Sequence, residues 1–213
     1  MKVHDWENTY KNKGVVQKEI LPTVEQSVQI MLHNKCKRVL DLGCGTGRHT
    51  LFLAQNNFEV YGTDISQTAI DITRQRALQL NFDINLRQSD LRELNFEDDF
   101  FDAVLCVWTT GHGLKEDIKK SVHEMYRVLK PNGLLFVDFM STEDANYGRG
   151  AALEESTFLH DFLDHSDVPH HYSSYDELQD FLKDFKEKKI SPITYDDPKY
   201  RSVIKAFWVQ AIK

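Results

Sequence analysis

The sequence predicts an α/β fold, a three-layer sandwich around a mostly parallel sheet whose last strand runs antiparallel. Two observations carry that prediction. Over residues 36–140, short apolar runs alternate with amphipathic helical stretches, the pattern of parallel strands joined by right-handed helical crossovers. Farther on, the apolar runs 190–195 and 202–212 are joined through Asp196-Asp197-Pro198 with no helix between them. Such a pair predicts an antiparallel hairpin at the sheet end.

Residues 37–42 read as the first strand and 48–57 as the helix after it. A second strand at 58–62 leads to Ser66, a good N-cap for a helix running to about Leu80. Residues 83–87 form a weaker third strand. The run 101–107 is apolar almost throughout, as a strand covered on both faces should be. Ile118, Val122, Met125, Tyr126 and Leu129 recur at helical spacing, and Lys130-Pro131-Asn132-Gly133 stops that helix before a fifth strand at 134–139. Ahead of the alternation, residues 1–35 read as a helical segment, with an amphipathic helix over 14–33 broken at Pro22 and with Trp6 and Tyr10 preceding it. Behind it, residues 141–173 have no clean period, are rich in Asp, Glu and His, and read as an insertion. Leu178, Phe181, Leu182 and Phe185 then share one helix face. One domain over residues 1–213 accounts for the whole pattern.

With 213 residues, 41% hydrophobic and 28% charged, the composition is that of a globular domain that needs no staples. A net charge of −7 disfavours nucleic acid as a partner, because phosphate contact needs a basic footprint. Cys36, Cys44 and Cys106 show no CxxC spacing, which suggests neither a disulfide framework nor a zinc site. No secretory leader is expected at residues 1–6, and no run approaches the ~20 apolar residues that span a membrane. A cytoplasmic location is the expectation.

The most informative segment is Val39-Leu40-Asp41-Leu42-Gly43-Cys44-Gly45-Thr46-Gly47-Arg48. Strand, glycine turn and helix follow one another, and the glycines let backbone approach a ligand where a Cβ would intrude. Asp64 ends the second strand roughly 20 residues beyond the glycines, where a carboxylate can accept from ribose hydroxyls. Asp90 follows the third strand and could face an adenine amino group. Acidic and glycine residues thus collect at strand ends, where open parallel sheets bind ligands. A local reading also exists: Asp41 caps a turn and Asp64 caps the following helix. A pyrophosphate-binding GxGxxG is not met, since Arg48 stands at its sixth position.

Over residues 37–140 the sequence resembles the class I S-adenosylmethionine-dependent methyltransferases. The glycine motif of that family corresponds to residues 41–47, its ribose-binding acid to Asp64 and its adenine-contacting acid to Asp90. Phe101-Asp102-Ala103-Val104-Leu105-Cys106 is similar to its fourth-strand motif, and residues 127–133 to the stretch entering its fifth strand. The resemblance implies a Rossmann-like, seven-stranded sheet with an antiparallel C-terminal strand, and S-adenosyl-L-methionine as cofactor. It further implies cofactor contacts from Asp41, Gly43, Cys44, Gly45, Gly47, Asp64, Ile65, Asp90, Leu91 and Cys106. Trp6 and Tyr10 belong to a segment that related enzymes often fold over the cofactor, where a ring face attracts a sulfonium; ordinary packing is the other reading.

Methyl transfer from a sulfonium is an in-line displacement that mainly needs alignment and exclusion of water. The tetrad [DN]PP[YF] of enzymes acting on amino groups of DNA bases or of glutamine is replaced here by Cys106-Val107-Trp108-Thr109, and no proline precedes a cysteine. A small-molecule acceptor is therefore the expectation. His112, in Thr109-Thr110-Gly111-His112-Gly113, matches a position where related enzymes carry histidine near the methyl group; the alternative is a packing role. In the insertion, expected to act as a lid over the acceptor, His170 and His171 before Tyr172 could orient an acceptor or take its proton, with His112 and His171 as the catalytic candidates. His160, His165, His170 and His171 with Asp161, Asp164 and Asp167 fit no common metal-ligand spacing, so no metal is expected. A cofactor-binding or regulatory protein that transfers nothing is the competing function. Neither the acceptor atom nor the oligomeric state is written in any motif.

Overall fold

The structure, a computed structural model, describes residues 6–16, 18–160, 167–197 and 202–213. Helices α1 (Trp6–Lys13) and α2 (Pro22–His33) come first. Then follow β1 (Arg38–Leu42), α3 (Arg48–Gln55), β2 (Glu59–Asp64), α4 (Gln67–Gln79), β3 (Asn85–Gln88), β4 (Phe101–Cys106), α5 (Lys115–Val128) and β5 (Leu129–Met140). The chain continues through β6 (Ala151–Glu154), β7 (Thr157–Leu159), β8 (Pro169–His171), α6 (Tyr175–Phe181), β9 (Glu187–Asp197) and β10 (Ser202–Ile212).

Seven strands form one sheet in the order β3-β2-β1-β4-β5-β10-β9. The first five are parallel, and β10 runs antiparallel between β5 and β9. The expected α/β architecture and its antiparallel hairpin are both present. Successive residues of a strand face opposite ways, and the central strands use both faces. Val39, Ala103, Leu105 and Phe136 pack with Val24, Val28 and Met31 of α2 and Leu53 of α3. Leu40, Val104 and Leu135 pack on the other side with Ile118, Val122 and Met125 of α5 and with α6. Two such cores explain why these strands read as unbroken apolar runs.

Three expectations need correction. Residues 14–16 and 18–21 are not helical: the helix starts at Pro22, whose fixed φ and missing N–H suit a first-turn position. Trp6 and Tyr10 do not precede the first helix but lie within α1, whose side chains are at most partly buried and whose eight residues show no apolar stripe to announce it. Residues 141–173 contain a separate antiparallel sheet, β6-β7-β8, whose strands of three or four residues are too short to show a period of two. Gly150 permits this sheet: its φ is +83°, and a Cβ there would lie 2.0 Å from the carbonyl oxygen of Leu159.

Candidate functional site

The loop after β1 is held open by its glycines. Gly43, Gly45 and Gly47 all have positive φ, and a Cβ on Gly43 would come within 2.4 Å of the Thr109 side chain. Backbone bonds pin the loop: Cys44 N–H donates to Thr63 O at 2.8 Å, and Gly47 N–H to Cys44 O at 3.0 Å. From α4, Thr73 Oγ1 donates to Gly45 O at 3.0 Å, and Arg76 bonds Thr46 O.

Asp64, at the tip of β2, joins this loop to the next helix. Its Oδ2 accepts from Gly45 N at 2.8 Å and its Oδ1 from Ser66 N at 2.9 Å. Burial raises its pKa despite the opposing N–H bonds from Ser66 and Gly45. Each carboxylate oxygen keeps a second lone pair, so the local tie and a ribose contact are compatible. Ser66 caps α4 as expected, accepting from Ala69 N at 3.2 Å. Ile65, between them, is half-buried, and its carbonyl accepts from Gln88 Nε2.

The other acids are committed elsewhere. Asp41 is buried on the α3 side, where Thr50 Oγ1 donates to it at 2.6 Å, and burial pushes its carboxyl up to about 6. It ties β1 to α3. Asp90 binds Arg92 through both oxygens, with Arg92 N and Nε each 2.9 Å from Oδ1. Burial raises its pKa, but the bonds from Arg92 outweigh this and lower it. An adenine contact from Asp90 would have to share a carboxylate that Arg92 already holds. Leu91 packs against the core, and Cys106 is buried at the end of β4 with its Sγ 3.2 Å from Thr110 Oγ1.

Helix α1 crosses above the loop. A Cβ on Gly45 would lie 2.9 Å from the Tyr10 hydroxyl, and the Trp6 ring lies 5.2 Å from that of His112. Burial and the nearby Asp64 carboxylate raise the Tyr10 phenol. What fastens α1 is Glu7, which no motif signalled. Its Oε2 accepts from Ser66 Oγ at 2.7 Å and Thr68 N at 3.0 Å, and its Oε1 accepts from Thr68 Oγ1 at 2.5 Å. Those bonds, led by the Thr68 hydroxyl, lower its pKa to about 2.

The structure separates the two histidine candidates. His112 stands beside the loop, between the rings of Trp6 and His170. His171 points the other way. Its Nε2 donates to Glu177 Oε2 at 2.9 Å and its Nδ1 is 2.8 Å from Thr157 Oγ1, so both ring nitrogens are engaged within a fully buried side chain. Catalytic use of His171 conflicts with that engagement. His160 bonds the Tyr172 hydroxyl, and His170 Nδ1 bonds Val168 O. Asp161, Asp164 and His165 lie outside the described residues. Among the described residues, no three His, Cys, Asp or Glu side chains are grouped to hold a metal.

A second polar cluster was not foreseen. Asp138 of β5 is buried and accepts from Trp108 N at 2.8 Å and from Tyr195 Oη at 3.3 Å, and burial pushes its carboxyl up to about 6. The Arg48 guanidinium lies 4.5 Å over the Trp108 ring. Strands β5 and β9 contribute to it across β10, a juxtaposition that sequence spacing does not encode.

Residues 39–133 match the family model described as a methyltransferase domain. The chain is 33% identical over 143 residues to YqeM of Bacillus subtilis (strain 168), which takes in 66% of this chain and 56% of that one. It is 34% identical over 114 residues to the demethylmenaquinone methyltransferase of Thermus thermophilus, or 53% of this chain and 51% of the relative. The chain spans about half the length of the curated relatives it matches. A solved SAM-dependent methyltransferase from Methanosarcina mazei has the same fold, with a TM-score of 0.73 over 92% of this chain and 98% of that one at 20% identity. Among the described residues, no helix is long and apolar enough to cross a membrane. With its glycine loop, its Asp64 and a methyltransferase-domain match over residues 39–133, the chain is similar to the S-adenosylmethionine-dependent methyltransferases and shares their fold.

Proposed function

We propose that this chain binds S-adenosyl-L-methionine across residues 43–47 and transfers its methyl group in line to a small-molecule acceptor. The carrying observation is the meeting of Gly45 N–H and the Asp64 carboxylate beneath Tyr10. A backbone held at positive φ, a buried carboxylate at the tip of β2 and an aromatic cover fit an adenosyl amino acid that carries no phosphate. When bound, the cofactor supplies an electrophilic methyl group on a sulfonium. Gly43, Gly45 and Gly47 would hold its amino acid end, and Asp64 its ribose. Trp6 and Tyr10 of α1 cover it and exclude water.

His112 is our candidate for the base that accepts the acceptor's proton, because it stands between α1 and the insertion. The rings around it, Trp6 and His170, favour an aromatic acceptor. The name of the Thermus thermophilus relative, which carries demethylmenaquinone, supports a small molecule over nucleic acid, as does the net charge of −7. Three free cysteines support a reducing, cytoplasmic setting. The test is calorimetric titration with S-adenosylhomocysteine, followed by incubation with methyl-labelled cofactor and a metabolite extract. Binding with label transfer to a metabolite is the expected result. Binding with no transfer would favour the regulatory reading, and no binding would overturn the proposal.

A further inference from the structure

The loop that carries His112 is tied to the end of β4 through Thr110 and Cys106, and its far part is held by the insertion. Gly113 N–H donates to Pro169 O at 3.0 Å, and His171 N–H donates to Gly111 O at 2.9 Å. His112 forms an isolated antiparallel bridge with His170, so residues 111–113 lie along β8 of the three-stranded β6-β7-β8 sheet. The fit is close, since a Cβ on Gly111 would lie 2.4 Å from Met140 Cε and 3.5 Å from His171 O. Whatever fixes β8 therefore fixes the backbone of His112.

What fixes β8 is a set of charges under the insertion. Glu177 of α6 accepts from His171 Nε2 through one oxygen and from Lys115 Nζ at 2.6 Å through the other. On the far side of the imidazole stands Thr157, which donates to Glu154 Oε1 at 3.1 Å; that same oxygen accepts from Lys115 N at 2.6 Å. The network thus joins α5, α6 and three strands of the insertion around one buried ring. Burial raises the Glu177 carboxyl, but the bonds from His171 and Lys115 outweigh it and hold it at about 2.

We infer that Glu177 and His171 are positioning residues, which hold β8 and through it set the placement of His112 beside the glycine loop. The catalytic meaning of that placement rests on the methyltransferase reading; the placement itself does not. Amide hydrogen exchange and the ¹⁵N spectrum of the histidine rings test it without an acceptor, in wild type, Glu177→Gln, Glu177→Asp and Thr157→Val. In Glu177→Gln, exchange at Gly113 and His171 should quicken at least tenfold and the ring signals of His112 should move. Exchange at Gly45, which Asp64 holds, should stay within about twofold of wild type. Glu177→Asp should restore part of the His112 signature, a rescue that general loosening does not give. Thr157→Val removes the opposite bond to His171 and should act in the same direction if Glu177→Gln fails to fold. Unchanged Gly113 exchange and His112 signals in a folded Glu177→Gln protein would overturn the inference. S-adenosylhomocysteine titration of wild type separates the two questions: failure to bind would count against the cofactor reading alone.

Discussion

Asp64 ties the glycine loop to the start of α4 and is the proposed ribose partner, so its substitution should report on both. Asp64→Ala removes the acceptor for Gly45 N and Ser66 N and the partner proposed for the ribose. A hydrogen bond to a charged group contributes about 1.5–3 kcal/mol, so calorimetry should show S-adenosylhomocysteine affinity falling at least tenfold. Unchanged affinity would mean that Asp64 only caps the loop. Asp138 allows a prediction from pH. Burial raises its folded pKa to about 6, above the ordinary 3.8, so the folded protein binds this proton more tightly than the unfolded chain does. Stability from this group is therefore gained as pH falls from 6 towards 3.8 and lost as pH rises through 6. Above pH 6 its charge costs roughly 3 kcal/mol. Asp138→Asn should raise Tm at pH 7, and the gap from wild type should close below about pH 4 in paired thermal melts. A pH-independent gap would contradict the buried-carboxylate account.

Among the elements, α1 is tied to the start of α4 by the side chain of Glu7. Glu7 accepts three bonds at the start of α4, where unpaired N–H groups and the helix dipole favour a carboxylate. Its folded pKa lies at about 2, below the ordinary 4.5. The attachment is therefore complete above about pH 4.5 and is lost as pH falls towards 2. Glu7→Ala should make residues 6–13 exchange amide protons severalfold faster at pH 7 and speed release of S-adenosylhomocysteine in stopped flow. Unaltered exchange over α1 would show that Trp6 and Tyr10 suffice to hold it. This helix also marks where sequence reasoning stops. The strands at 38–42 and 59–64 and the Ser66 cap were legible because apolar runs, glycines and N-caps act on near neighbours. Glu7 meets Thr68 across 61 positions, and nothing local announces the pairing. The engagement of His171 was illegible for the same reason, since its partners Thr157 and Glu177 flank it from different elements.

For the molecule as a whole, the sheet order brings the β1, β2 and β4 ends to one edge, and everything proposed about function acts there. That convergence was readable, because parallel strands with right-handed crossovers fix which ends share an edge. The pairing of the insertion with residues 111–113 was not, for it depends on strands of three residues with no period to detect. On the proposed reading the architecture divides the work: the glycine loop and α1 would face the cofactor, while the small sheet would position His112. The most direct test is a crystal structure with S-adenosylhomocysteine. The expected result is a ligand lying across residues 43–47, its ribose hydroxyls on Asp64 and its sulfur towards His112. A ligand seated elsewhere, or one whose ribose makes no contact with Asp64, would contradict the account.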